Sequence, residues 1–163
     1  SKRAKISKII CGLTSNYSRK SWLEIDTETA ANIVKLLTMI LILEKGNENG
    51  LIALSGLING VGNRLDINEF GKYIVFALTG SDEECVRLGC GIVSDLANAF
   101  EIKLLNIYKF VVPLAKVLSN PNSSRQAKLN ALYAIGDLAM NAGPSFTKTY
   151  LIDTLKILDS ASK

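Results

Sequence analysis

The sequence contains no histidine. That absence removes Ser-His-Asp and Cys-His catalysis, imidazole-ligated zinc and histidine-based pH switching. Cysteine is sparse: Cys11, Cys85 and Cys90 are an odd count without C-x-x-C spacing. That count and spacing argue against a disulfide framework, and a reducing compartment is the default. With 12 glycines and 3 prolines, the composition is far from a disordered or collagen-like chain. Long apolar runs are missing too. The longest, Leu36 to Leu43, is eight residues broken by Thr38, against the roughly 20 that a membrane-spanning helix needs. The basic start, Ser1 to Lys8, lacks the apolar core and cleavage site of a signal peptide.

What is present is a chain of 163 residues, 48% hydrophobic and 21% charged, enough to bury a core as one structural unit. The net charge of +4 is modest; it favours solubility and points only weakly to an acidic partner. Helical periodicity dominates. Thr27 to Glu44 opens on Asp26-Thr27-Glu28, a capping residue followed by an acidic first turn. Its apolar residues Ile33, Leu36, Leu37, Ile40, Leu41 and Leu43 follow a 3.6-residue period. Turn clusters at 45–50, 62–63, 80–82, 120–124 and 142–145 divide the rest into further helices. The spacing predicts a helix over 104–118, bent by Pro113 in its interior. Short connections make neighbouring helices antiparallel.

These hairpins repeat. Ile92-Val93-Ser94-Asp95-Leu96 can be laid over Ala134-Ile135-Gly136-Asp137-Leu138, 42 residues on, and over Leu57-Ile58-Asn59-Gly60-Val61, 35 residues back. A two-helix unit with a period near 40 is the range of HEAT and armadillo repeats. Second (B) helices are expected at about 4–18, 49–62, 82–100 and 124–141, and first (A) helices at about 27–44, 67–79, 104–118 and 146–160. The expected fold is thus all-α, an α-solenoid (superhelix) of HEAT-repeat hairpins: about three full repeats with an orphan helix at each end. Missing polar caps at both ends, and an opening without Met, are expected of a piece excised from a longer solenoid.

The run Asp82-Glu83-Glu84-Cys85-Val86-Arg87 through Gly91-Ile92-Val93-Ser94-Asp95-Leu96 resembles the middle-to-late HEAT repeats of the importin β family of karyopherins. So does Ser119-Asn120-Pro121-Asn122 through Ala134-Ile135-Gly136-Asp137-Leu138-Ala139, followed by Gly143 and Phe146-Thr147-Lys148-Thr149-Tyr150-Leu151. Leu51 to Leu57, leading to Phe70-Gly71-Lys72-Tyr73, fits the preceding unit, and the likeness is collinear over about 48–163. The resemblance implies B helices lining an inner surface and A helices outside. It also implies a non-enzymatic nuclear import receptor without cofactor or metal, moving between cytoplasm and nucleus and present at the nuclear pore. Its partners would be importin α, through the basic importin-β-binding segment, or a cargo protein, with Ran GTPase and phenylalanine-glycine nucleoporins. No membrane or direct nucleic-acid contact is expected.

On that reading the partner-binding candidates are Asp95 and Asp137, with Asn59 and Asn98, on the B-helix face. Asp95 lies about 200° round the helix from core residue Val93, and Asp137 occupies the matching place one repeat later. Stacked carboxylates suit an Arg/Lys-rich helix; the alternative is that each pairs with a neighbouring Arg or Lys, or is solvated. The chain departs from the acidic family with 19 Lys+Arg against 15 Asp+Glu, and Asn59 is neutral where a carboxylate is expected. Aromatics Phe70, Tyr73, Phe76, Tyr108, Phe110, Phe146 and Tyr150 fall on A helices, for inter-repeat packing or a nucleoporin groove. Trp22 is either a plug over its loop or an anchor, and Cys85 and Cys90 read as buried thiols. Small residues around Gly60 and Gly89 lack the phosphate-loop order and read as points of close helix approach. Three rivals stay open: another HEAT scaffold such as a phosphatase regulatory subunit or adaptor, a helical enzyme using carboxylates alone, and a nucleic-acid binder.

Overall fold

The computed structural model describes residues 5–6, 9, 24–43, 48–61, 67–99 and 107–161. Among them are seven α-helices and no strand: α1 (Thr27–Leu43), α2 (Glu48–Val61), α3 (Ile67–Thr79), α4 (Glu83–Ala99), α5 (Val111–Ser119), α6 (Arg125–Ala142) and α7 (Pro144–Ala161). The expected B helix over 4–18 falls, except for residues 5–6 and 9, outside the described residues, as do Cys11, Trp22 and Phe100. Successive helices pair as hairpins, α1 with α2, α3 with α4 and α5 with α6. In one layer α3 packs on α5 and α5 on α7; in the other, α2 packs on α4 and α4 on α6. Each hairpin covers its apolar side only against its neighbours, so the chain is an all-α repeat solenoid in which stability adds through nearest-neighbour interfaces.

Local chemistry sets the boundaries. The Asp26 carboxylate accepts the Thr29 N–H at 2.8 Å, the Asp82 carboxylate the Cys85 N–H at 2.9 Å, and the Ser124 hydroxyl the Ala127 N–H at 3.1 Å. Each satisfies an otherwise orphaned donor in a first helical turn. Helix α6 ends at Gly143, whose φ of 52° only glycine adopts without strain, and Pro144 begins α7 at once. The expected bend at Pro113 is corrected. A 3₁₀ turn over Ile107–Phe110 precedes α5, so Pro113 is its third residue and its missing N–H costs no helical hydrogen bond.

Phe70, Phe110, Leu54, Leu57, Ile74 and Leu96 are among the fully buried side chains. Helix α4 is enclosed by α2, α3 and α6, which widens its buried arc to Cys85, Val86, Gly89, Cys90, Ile92, Val93, Leu96 and Ala97. A Cβ at Gly89 would stand 3.2 Å from the Leu78 side chain and 3.3 Å from that of Ala77, so this glycine marks a close approach of α3 to α4. Gly91 faces open space. Gly91→Ala is expected to stabilise by about 0.5–1 kcal/mol through helix propensity, and Gly89→Val to destabilise by about 1–3 kcal/mol through overpacking. Urea unfolding of the two variants checks both signs.

Of the A-layer aromatics, Phe70, Tyr73, Phe110 and Phe146 are buried in packing between helices. Phe76 is half-exposed, and Tyr150 stacks tilted on Phe146 with ring centroids 5.7 Å apart. Cys85 and Cys90 are buried and in no disulfide, and burial pushes their thiols up to about 11 and about 12 respectively. Both are therefore expected to resist Ellman's reagent at pH 7.5 until the chain unfolds, because the thiolate is the reactive form. Mass spectrometry of labelled peptides reads this, and labelling of either within minutes in the native state would contradict it.

Candidate functional site

The buried positions of α2, α4 and α6 fix which residues are equivalent. Leu51 superposes on Cys90, Leu54 on Val93, Leu57 on Leu96 and Ile58 on Ala97, a spacing of 39 residues. The sequence overlay of 35, which sets Gly60 against Asp95, is one helical turn out. An apolar stripe repeats every turn of about 3.6 residues, so pattern alone does not separate the two registers. Between α4 and α6 the spacing of 42 stands, with Cys85 on Ala127, Val93 on Ile135 and Leu96 on Leu138. Asn59 is thereby the counterpart of Asn98, and Gly56 that of Asp95 and Asp137.

In this register the four candidate residues join one polar track across the B layer. Asp95, half-buried on α4, accepts a short hydrogen bond from the Ser55 hydroxyl of α2. The Asn59 amide of α2 also bonds this carboxylate. One step on, Asp137 of α6 accepts a hydrogen bond from the Ser94 hydroxyl of α4. The Asn141 amide reaches the Asn98 side chain at 3.4 Å and the Asp137 carbonyl at 2.9 Å. Ser94 and Asp95 are sequence neighbours about 100° apart on α4, so one donates forward to α6 and the other accepts from α2.

Neither carboxylate pairs with an Arg or Lys among the described residues. Arg87, on the same helix as Asp95, is taken by Glu84, with its Nε 2.8 Å from the Glu84 carboxylate. Asp95 is also not a solvated surface group. Because α4 is flanked by both α2 and α6, a side chain off the central stripe still meets a neighbouring helix. Burial holds the Asp95 carboxyl above its ordinary value, opposed by the Ser55 and Asn59 hydrogen bonds and reinforced by the negative charge of Asp137.

With the folded-state value raised, the ionised form is the one the fold disfavours. The cost is full at neutral pH and is relieved as pH falls through the raised value towards the ordinary 3.8. Wild type is therefore expected to gain stability relative to Asp95→Asn as pH is lowered from 7 towards 4. A stability difference that stays flat over this range would contradict the assignment.

Ser55, Ser94 and Asn141 are the members that sequence reasoning missed. The available signal was Ser-x-x-x-Asn on successive B helices, Ser55 with Asn59 and Ser94 with Asn98, one face at i,i+4 spacing. Elsewhere, a groove of about 530 Å³ opens between the α3–α4 and α5–α6 turns, lined by Gly80, Glu83, Lys116 and Asn120 among others, and shares no residue with the track. Among the described residues no group of three His, Cys, Asp or Glu could hold a metal ion, and no helix is long and apolar enough to cross a membrane.

Stacked hairpins with a polar track along one layer define a helical-repeat solenoid. A family model described as importin subunit beta-1-like, TPR repeats, matches residues 3–163, and the chain belongs to that family. It is 29% identical over 112 residues to importin subunit beta-1 of Saccharomyces cerevisiae, a match covering 67% of this chain and 13% of that relative. The chain thus spans only a small part of the curated relative's length. No solved structure matches.

Proposed function

We propose that the chain is a segment of a nuclear transport receptor, working without catalysis by binding a basic protein segment on its B layer. Importin α, through its N-terminal basic segment, or a cargo protein is the partner that suits Asp95 and Asp137, with Asn59 and Asn98 beside them. Ran GTPase and phenylalanine-glycine nucleoporins are the further partners that family membership suggests, and shuttling between cytoplasm and nucleus, by way of the nuclear pore, is the localisation that goes with them.

The observation that carries the reading is the pair of carboxylates on successive B helices, each held by a neutral serine. Held this way, neither is paired with a cation among the described residues, and a contact with a cation arriving from outside can repeat with the step of the stack. The two belong to different helix pairs and bond different serines. Fluorescence anisotropy of a labelled importin-α N-terminal peptide against the complete receptor tests the proposal. Binding that weakens with added salt is expected; no binding at physiological salt would overturn it.

A further inference from the structure

We infer that Ser55 and Ser94 are positioning residues of this surface, holding Asp95 and Asp137 in the orientation that receives a cationic side chain. The inference rests on the reading that those two carboxylates meet a basic ligand. A serine within a helix commonly turns its hydroxyl back onto its own chain. Ser119 and Ser160 do so here, donating to the Ala115 and Lys156 carbonyls at 3.1 and 2.8 Å, as Thr79 does to Val75 at 2.9 Å. Ser55 and Ser94 instead donate across the layer to the next B helix, 40 and 43 residues along the chain.

Each hydroxyl engages the Oδ2 atom of its carboxylate. A lysine or arginine at the same place would fix the carboxylate too, but would neutralise it. A neutral hydroxyl restricts the side chain and leaves its charge to the ligand, so part of the ordering entropy is lost before binding. At the positions equivalent to Ser94 and Asn98, α6 carries Gly136 and Met140, and Gly136 faces open space. Among the described residues the device therefore occupies two steps, α2 to α4 and α4 to α6.

The test is a double-mutant cycle in the complete receptor, read by anisotropy of the labelled importin-α N-terminal peptide, with thermal unfolding recorded for every variant. Asp137→Asn is expected to weaken binding about ten-fold, and Ser94→Ala about five-fold. Ser94→Thr, which keeps the hydroxyl, should stay within two-fold of wild type by the same reasoning. Adding Ser94→Ala to Asp137→Asn should cause no further loss, because the serine acts only through the carboxylate. If Asp137→Asn leaves binding unchanged, the functional reading fails and the inference fails with it. If Asp137→Asn weakens binding and Ser94→Ala does not, the inference alone is overturned. An equal loss from Ser94→Ala in both backgrounds also overturns it, since the serine would then act on the ligand or the stack. Should Ser94→Ala not fold, the cycle of Ser55→Ala with Asp95→Asn decides in the same way.

Discussion

Replacing Phe110 with alanine is expected to destabilise the stack by about 3–5 kcal/mol. The ring is fully buried where the 3₁₀ turn passes into α5. Its edge lies 3.7 Å from where a Cβ on Gly71 of α3 would stand, so it fills the seam between two A helices. The truncation removes the transfer energy of the ring and leaves a cavity that straight helices close poorly. A fall in Tm on the order of 10 °C follows for a chain of this size.

The distribution of the damage is as informative as its size. In a stack held by nearest-neighbour interfaces the loss should concentrate around α5 and its contacts, while α1 and α2 are less affected. Native-state hydrogen exchange of the variant reads this as earlier exchange in 107–119 than in 48–61. A loss below about 1 kcal/mol would mean that the seam is not packed as described.

Reversing both carboxylates, Asp95→Lys with Asp137→Lys, is expected to weaken binding of the importin-α basic peptide by at least about 100-fold. Each reversal removes a charge-assisted contact and sets a like charge against the ligand. The Asp153→Lys variant on α7 is the control. That carboxylate is exposed, is 3.5 Å from Lys156, and lies on no B helix, so its reversal should change affinity only slightly. The half-buried position of Asp95 makes a lysine there a risk to the fold. The milder pair Asp95→Asn and Asp137→Asn, checked by circular dichroism, keeps the comparison usable. Equal losses for the control and the reversals would point to net charge rather than the track.

Much of this architecture was legible before any coordinate. Turn clusters, the capping residue Asp26 and the recurrence near 40 residues lead to stacked hairpins because each is a local signal. Register between repeats was not local. An apolar stripe looks the same after one helical turn, so the pattern sets Gly60 rather than Gly56 against Asp95. Pro113 was misplaced for a related reason: periodicity runs on through a 3₁₀ turn, and nothing in 104–118 announces where the α-helix starts. The candidate carboxylates were visible from their angular position. Their serine partners were not, since a hydroxyl's choice between its own carbonyl and a neighbouring helix is decided by packing. The third enclosed side of α4, which half-buries Asp95, likewise exists only once α2 and α6 are both in place.

Carboxyl footprinting of the complete receptor tests the central claim most directly. Carbodiimide-driven amidation would be mapped by mass spectrometry with and without the importin-α basic peptide. The account predicts that peptide binding lowers labelling at Asp95 and Asp137 and leaves Glu83 and Asp153 unchanged. Unchanged labelling at Asp95 and Asp137 under saturating peptide would contradict it.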